Sequence, residues 1–354
     1  MVVITLLNII VVFMSYLARF EKHRYLLAWA FVLLSLVLGI RYGYGNDFFS
    51  YLQVFNNSFT GWDGDQEYGW YVINCLFHPF GFSLLIFFLT CLENFLIYKV
   101  INEYVSPDWF WFAMFIYVFN SSNMLIGLSM LRQELAMCIG LYALKYVNDR
   151  KIIPFLILCT VAASVHTIAY LLFPLYLLPY ANRLFSNKWG VFVICFVLYL
   201  VYIHLGDIVF GAVENMKEND LAYANSGYIA SQELNDEKSV RKIHFIRILI
   251  YLFFYLRSIK YLNNKQRVYS NVVLLGYSMV PIVVFIRMIV RASWIYTIAE
   301  IVAFPLIVKY EKNLFLKTLL MIIDMALVLF EFFEIFYSDI YGLHFYSYRT
   351  IFDL

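Results

Sequence analysis

An all-α polytopic membrane protein of about eleven to twelve transmembrane segments is the fold class that this sequence predicts, on three observations. The chain of 354 residues is 63% hydrophobic and only 14% charged, with a mean hydropathy of +0.74. A soluble domain is about half apolar and about a quarter charged. Apolar runs of about 18–25 residues recur along the chain, and each can cross a hydrocarbon core of roughly 30 Å as a helix. The ~10-residue segments of alternating hydrophobicity that build a membrane β-barrel are absent.

The elements follow in order. Residues 1–18 form a retained first helix, because they lack the basic n-region and small-residue cleavage site of a signal peptide. After the basic turn of Arg19, Lys22 and Arg24, residues 25–40 give a second, short helix. An outer polar loop, residues 41–70, carries Arg41 and the acids Asp47, Asp63, Asp65 and Glu67, with turn glycines at 43, 45, 61 and 64. Residues 71–80 read as interfacial or re-entrant, and residues 82–101, 109–119 and 125–147 as spans. Residues 152–180 are too long for one upright span and too short for two, with His166 near the middle. Residues 189–205 span again, and 207–242 is the main extracytoplasmic loop. Four further helices follow at 243–261, 270–289, 292–308 and 315–336, and together with the rest they make a single integral membrane domain, residues 1–354.

Basic residues orient such a chain, because short cytoplasmic loops collect lysine and arginine. If residues 152–180 are a bent pair with its apex near His166, the turns around Lys22, Lys145, Lys188, Lys265 and Lys312 all share the cytoplasmic side. Both termini are then outside. The outer face gathers residues 41–70, Arg132, His166, Arg241, Arg247, Arg287, Arg291 and Arg349. Lysines mark the inner turns, whereas arginines mark the outer boundary, where orientation rules disfavour them. The planar guanidinium fork suits phosphate or carboxylate, so the pattern points to an outward-facing anion site.

Arg132 and Gln133 sit in the stretch NSSNMLIGLSMLRQELA (120–136), between two apolar runs. A charge at that depth is costly unless it faces a protein interior or a wet cavity; a snorkelling, headgroup-contacting arginine is the plain alternative. Arg287 and Arg291 are four apart and share one helix face. They read as a diphosphate clamp, or as two headgroup contacts at a helix end. His166 is the general-base candidate by residue type, with a helix-bend histidine bonded to a backbone carbonyl as the plain alternative; Glu67 and Asp47 are the carboxylate alternatives. Glu300, Asp324, Glu331 and Glu334 are candidate ion-pair partners for the arginines, and Glu93 also needs one. The aromatic outer loop, with Tyr42, Tyr44, Tyr51, Trp62 and Trp70, suits sugar stacking or an interfacial belt. The five cysteines lie in apolar segments without paired spacing and read as core residues. No nucleotide-binding or soluble-hydrolase motif is present, and no cofactor, metal or nucleic-acid partner is expected.

Three patches together resemble the EpsG-like branch of bacterial Wzy-type polysaccharide polymerases. One is RYGYGNDFFSY (41–51), like that family's Arg–x–Gly–x–Asp–x–x–x–Tyr pattern, followed by Glu67–Tyr68–Gly69–Trp70. Another is Leu131–Arg132–Gln133, leading on to Ala162–Ala163–Ser164–Val165–His166. The last is Arg287–x–x–x–Arg291 with Tyr296 and Pro305. The resemblance implies a GT-C-like integral membrane glycosyltransferase of the bacterial cytoplasmic (inner) membrane, with its active site facing the periplasm or exterior. Its substrate would be a polyprenyl-diphosphate-linked oligosaccharide, of the kind used for O-antigen or exopolysaccharide, embedded among membrane lipids. A chain-length regulator protein is a possible partner by the same resemblance. Arg132, Arg287 and Arg291 are then expected on the diphosphate, His166 as acceptor-side base with Glu67 or Asp47 behind it, and Arg41, Asp47, Tyr51 and Glu67 at the sugar end. A glycan ligase would use the same donor. A flippase or other transporter would instead line both leaflets with charge, and an acyltransferase would need a donor site of which there is no sign.

Overall fold

The computed structural model describes residues 1–58, 61, 62, 64, 66–180, 200, 238–283, 287–338 and 342–353. The expected span 189–205 and nearly all of the loop 207–242 lie outside them, as do the side chains of Arg241 and Arg287. The described elements are helices, joined in one place by an isolated antiparallel bridge between Arg41 and Thr350. In chain order they are α1 (Val2–Leu17), α2 (Leu26–Gly39), α3 (Phe48–Asn57), α4 (Tyr68–Phe77), α5 (Phe82–Tyr104), α6 (Phe110–Phe119), α7 (Met124–Ser129), α8 (Leu131–Asn148) and α9 (Ile152–Val165). A 3-10 segment, Thr167–Leu177, follows. The chain continues with α10 (Lys238–Ser258), α11 (Asn264–Val283), α12 (Arg287–Thr297), α13 (Glu300–Val308), α14 (Leu314–Tyr337) and α15 (Gly342–Tyr346).

Helix α6 is the centre of the bundle. Every residue from Phe112 to Phe119 is buried, and α1, α13 and α14 pack around it. Outward faces such as Ile152, Ile153, Ile157 and Val161 of α9 stay exposed and apolar, as lipid contact requires.

Few of the expected eleven to twelve transmembrane segments are unbroken helices of spanning length among the described residues. Two, Glu21–Gly39 and Phe82–Tyr104, are individually long and apolar enough to cross a membrane, and a third is counted if Arg291–Thr297 and Glu300–Val308, bent by 49°, form one span. The reason is interruption and charge. Apolar helices α1 and α9 have 16 and 14 residues, and α8 carries Arg132, Glu134 and Lys145. The expected continuous span 125–147 is broken at Met130 (φ −106°, ψ 64°) into α7 and α8. The segment 152–180 does break at His166, which is extended (φ −151°, ψ 125°), and its two halves pack on one another.

One buried arginine gathers several of the acids inside the bundle. Arg247, expected at the outer boundary, is buried and binds Glu300 at 2.9 Å and Asp324 at 3.1 Å, with Glu331 at 3.8 Å. It therefore ties α10 to α13 and α14, because a guanidinium in an apolar interior persists only when paired. At one end of the bundle Lys145 bonds Glu103 (2.7 Å) and Lys265 bonds Asp149 (3.0 Å), so turns expected on one side are neighbours. Helix α8 runs from Arg132 to that end over about 27 Å at 1.5 Å per residue.

Candidate active site

The break at Met130 is what exposes Arg132. With α7 and α8 uncoupled, Arg132 falls in the first turn of α8 rather than in the middle of a span. The polar loop 41–70 is pinned against this break. The Asn46 amide donates to Ser129 Oγ at 2.8 Å. Gly45 (φ 111°) lies so close that a Cβ there would stand 2.8 Å from the Leu128 carbonyl oxygen, which only glycine permits. Asp47 follows at once, ahead of α3, and its carboxylate accepts a long 3.4 Å bond from Asn46.

Glu67 enters from the other end of the same loop. Its Oε2 accepts from Arg132 at 2.5 Å, and its Oε1 accepts from the Thr167 amide at 3.1 Å. One carboxylate thus joins the loop, the start of α8 and the break after α9. Gly69 makes this approach feasible, since a Cβ on it would meet Ser164 Oγ at 2.3 Å and the Ser164 carbonyl oxygen at 2.6 Å. The Arg132 guanidinium also lies 5.8 Å from the Tyr51 ring centroid, and Tyr51 in turn meets Trp70 edge-on at 5.6 Å. Ring contact and hydrogen bonding with Tyr51 together fix the planar guanidinium. The Arg132 side chain remains 29% exposed.

From α12, Arg291 joins the group. Its carbonyl oxygen accepts from Gln133 Nε2 at 3.0 Å, which locks α12 to α8. Tyr296 OH donates to the Leu171 carbonyl at 2.7 Å and ties the same helix to the 3-10 segment. Asp47 lies within the electrostatic reach of Arg291, His344 and Arg132, and His166 within that of Glu67, Arg132 and Arg291. Two arginines, two carboxylates and a histidine from four separate segments therefore converge.

The two carboxylates differ in character. Burial raises the Asp47 carboxyl above the ordinary aspartate range, with Arg291, His344 and Arg132 pulling partly the other way. Burial also works to raise Glu67, yet Arg132, the amides around it and His166 outweigh this and hold it below the usual glutamate range. A carboxylate whose oxygens are both occupied by donors is a poor proton acceptor.

Several expectations are corrected. Arg41, expected beside a sugar, is buried between α2 and α5 and donates to the Leu38 carbonyl (2.7 Å) and Thr90 Oγ1 (2.9 Å). Gln133, expected as a binding residue, is 2% exposed and holds the backbone of Arg291. His166 Nδ1 accepts from the Ile168 amide at 3.2 Å as a helix cap. That assigns the ring proton to Nε2 and makes the free nitrogen a donor rather than a base. Tyr44 and Trp70 are buried, so of the loop aromatics Trp62, 51% exposed, is available for stacking. Arg287 begins α12, but its side chain is outside the described residues.

His344 escaped sequence reasoning. It lies on α15, far along the chain, and no motif marks it. The terminal segment reaches the site because the loop 41–70 pairs with it. Tyr42 N–H donates to the Arg349 carbonyl (2.9 Å), Gly45 N–H to the His344 carbonyl (3.2 Å) and Ile351 N–H to the Ile40 carbonyl (3.0 Å). Among the described residues no group of three or more histidine, cysteine, aspartate or glutamate side chains is disposed to hold a metal ion.

No curated protein and no solved structure matches the chain. The model of the EpsG family matches residues 24–350, nearly the whole length and all the segments that build this site. The chain belongs to the EpsG family, a family of Wzy-like polymerases.

Proposed function

We propose that this protein joins polyprenyl-diphosphate-linked oligosaccharide repeat units at the outer face of the bacterial cytoplasmic membrane, by glycosyl transfer with inversion. The observation that carries this reading is the convergence of Arg132 and Arg291 with Asp47, Glu67 and His166 at one end of the bundle. The reaction needs positive charge where the diphosphate leaves and a proton acceptor where the sugar hydroxyl attacks. This cluster offers both.

In the reaction proposed, the acceptor hydroxyl oxygen attacks the anomeric carbon of the donor and forms the new C–O bond. The bond from that carbon to the diphosphate oxygen breaks on the opposite face, and its electron pair leaves with the lipid diphosphate. Arg132 and Arg291 stabilise the negative charge that gathers on the leaving group, which is where preorganised donors contribute most. The His166 Nε2–H adds a neutral donor. Asp47 takes the acceptor proton. Its raised carboxyl makes it the better acceptor of the two acids, and His344 lies within its electrostatic reach. Glu67 aims Arg132 and does not itself touch the proton.

The test uses purified protein in detergent or liposomes with polyprenyl-diphosphate repeat units and no other sugar donor. A ladder of products on a gel is expected. Movement of the same lipid between vesicle leaflets without a ladder would replace the reading by transport.

A further inference from the structure

Below α7 lies a small cavity of ≈10 Å³, lined by Thr90, Glu93, Asn94, Tyr117, Gly127 and Glu134 among others. It has room for about one water molecule or one small ion. Two carboxylates face it, Glu93 from α5 and Glu134 from α8, and both are buried. Glu93 is 9% exposed and its Oε1 has no hydrogen-bond partner. Glu134 Oε1 receives a Cys138 thiol at 3.6 Å, a weak donor. Gly127 clears the space for that carboxylate, since a Cβ there would stand 2.6 Å from Glu134 Cδ.

The nearby cation does not neutralise the pair. Arg41 attracts Glu93, but no hydrogen bond joins them; its Nη1 donates to the Leu38 carbonyl and to Thr90 Oγ1. Ionised together, the two carboxylates and the one guanidinium sum to a single negative charge, which an apolar bundle disfavours, so the pair takes up one positive charge, as a proton or as a cation. One monovalent positive charge brings the sum to zero, whereas a divalent ion would overshoot it. The other polar residues of the lining, Thr90, Asn94 and Tyr117, carry oxygen atoms, and Tyr117 OH donates to Asn94 Oδ1 at 2.9 Å, while Leu38, Met124 and Leu128 close the cavity with apolar groups. Oxygen donors of this kind suit hard cations.

We propose that this cavity binds one alkali cation of sodium size between Glu93 and Glu134. Its place has a consequence for the site above. Leu128 lines the cavity, its carbonyl presses on Gly45, and the adjoining Ser129 holds Asn46. A cation at this point braces the turn that carries Asp47. The proposal stands on the cavity and its charges and is independent of the reaction assigned above.

The experiment is thermal unfolding of the purified full-length protein at constant ionic strength in choline, lithium, sodium or potassium chloride, with equilibrium binding of radioactive sodium in parallel. We expect a saturable rise in Tm with sodium relative to choline, as binding to the folded state demands, and about one sodium bound per chain, the room the cavity offers. Glu93→Gln and Glu134→Gln keep the side-chain shape, and each should lose the sodium-specific rise and the bound sodium. Equal Tm in choline and sodium with no bound sodium in the wild type would overturn the proposal, whether or not the variants fold. Stabilisation by lowered pH in place of sodium, abolished by the same variants, would also overturn it and put a proton in the cavity.

Discussion

Replacing Glu67 by glutamine separates aiming from proton transfer. The native carboxylate accepts from Arg132 at 2.5 Å and from the Thr167 amide at 3.1 Å. Glutamine has the same shape but one acceptor oxygen, so one of these donors must face an NH2 group. A hydrogen bond to a charged partner contributes about 1.5–3 kcal/mol. The pair is partly open to solvent, with side chains 29% and 16% exposed, so about 1–2 kcal/mol is the reasonable loss. That corresponds to a fall of roughly 5- to 30-fold in kcat/KM, at about 1.4 kcal/mol per factor of ten. The assay is the initial rate of ladder growth against concentration of lipid-linked repeat unit. The shape of the pH–rate profile should be unchanged, because Glu67 does not carry the proton. Loss of the acid limb of that profile in the glutamine variant would refute the assignment and make Glu67 the base. The sign for stability follows from the same contacts. Glu67 is held below the usual glutamate range, so its stabilisation is present above that range and is lost as pH falls beneath it.

The remaining predictions concern other parts of the bundle. Asp47→Asn should reduce ladder growth by at least 10²-fold, the scale of a lost general base, with membrane insertion and Tm retained; in the wild type the acid limb of kcat/KM should lie above the ordinary aspartate range, because burial raises that carboxyl. For stability alone the raised Asp47 works oppositely to Glu67, contributing most below the ordinary aspartate range and losing that contribution as pH rises through its folded value. Arg247→Met leaves Glu300, Asp324 and Glu331 without their cation and should cost about 3–5 kcal/mol, read as a large fall in Tm. Gly69→Ala drives a methyl group into Ser164, so α4 must shift and carry Glu67 with it. Ladder growth should fall while Tm drops modestly, and an unchanged rate would show that the α4–α9 contact does not set the site.

Membrane class and most helix positions were legible in the sequence because hydropathy is summed over long windows. The bent segment at His166 was legible too, since its length fitted neither one span nor two. The break at Met130 was not. Nothing in Leu128–Ser129–Met130–Leu131 is a helix breaker, and the interruption arises from tertiary contacts with Gly45 and Asn46. Arg132 and Arg291 stand out as charges beside apolar runs, whereas Asp47 and Glu67 are acids of a polar loop; Arg132 bonds Glu67, and Asp47 lies within the electrostatic reach of both arginines. Arg41 and Arg247 stood out equally and proved to be interior. Sequence position does not separate an arginine that pairs with buried carboxylates from one that faces an open site, because the partners come from distant helices. His344 was hidden for the same reason, being delivered by backbone pairing of residues 342–351 with residues 40–45.

The most direct test of the account is ladder formation by the purified wild type and by Arg132→Ala and Arg291→Ala, each verified as folded by Tm. The account predicts a ladder from the wild type on polyprenyl-diphosphate repeat units alone and none, or one slower by at least about 10²-fold, from either variant. Ladders of normal rate and length from both variants would contradict it, because the leaving diphosphate would then owe nothing to the cluster at the head of α8.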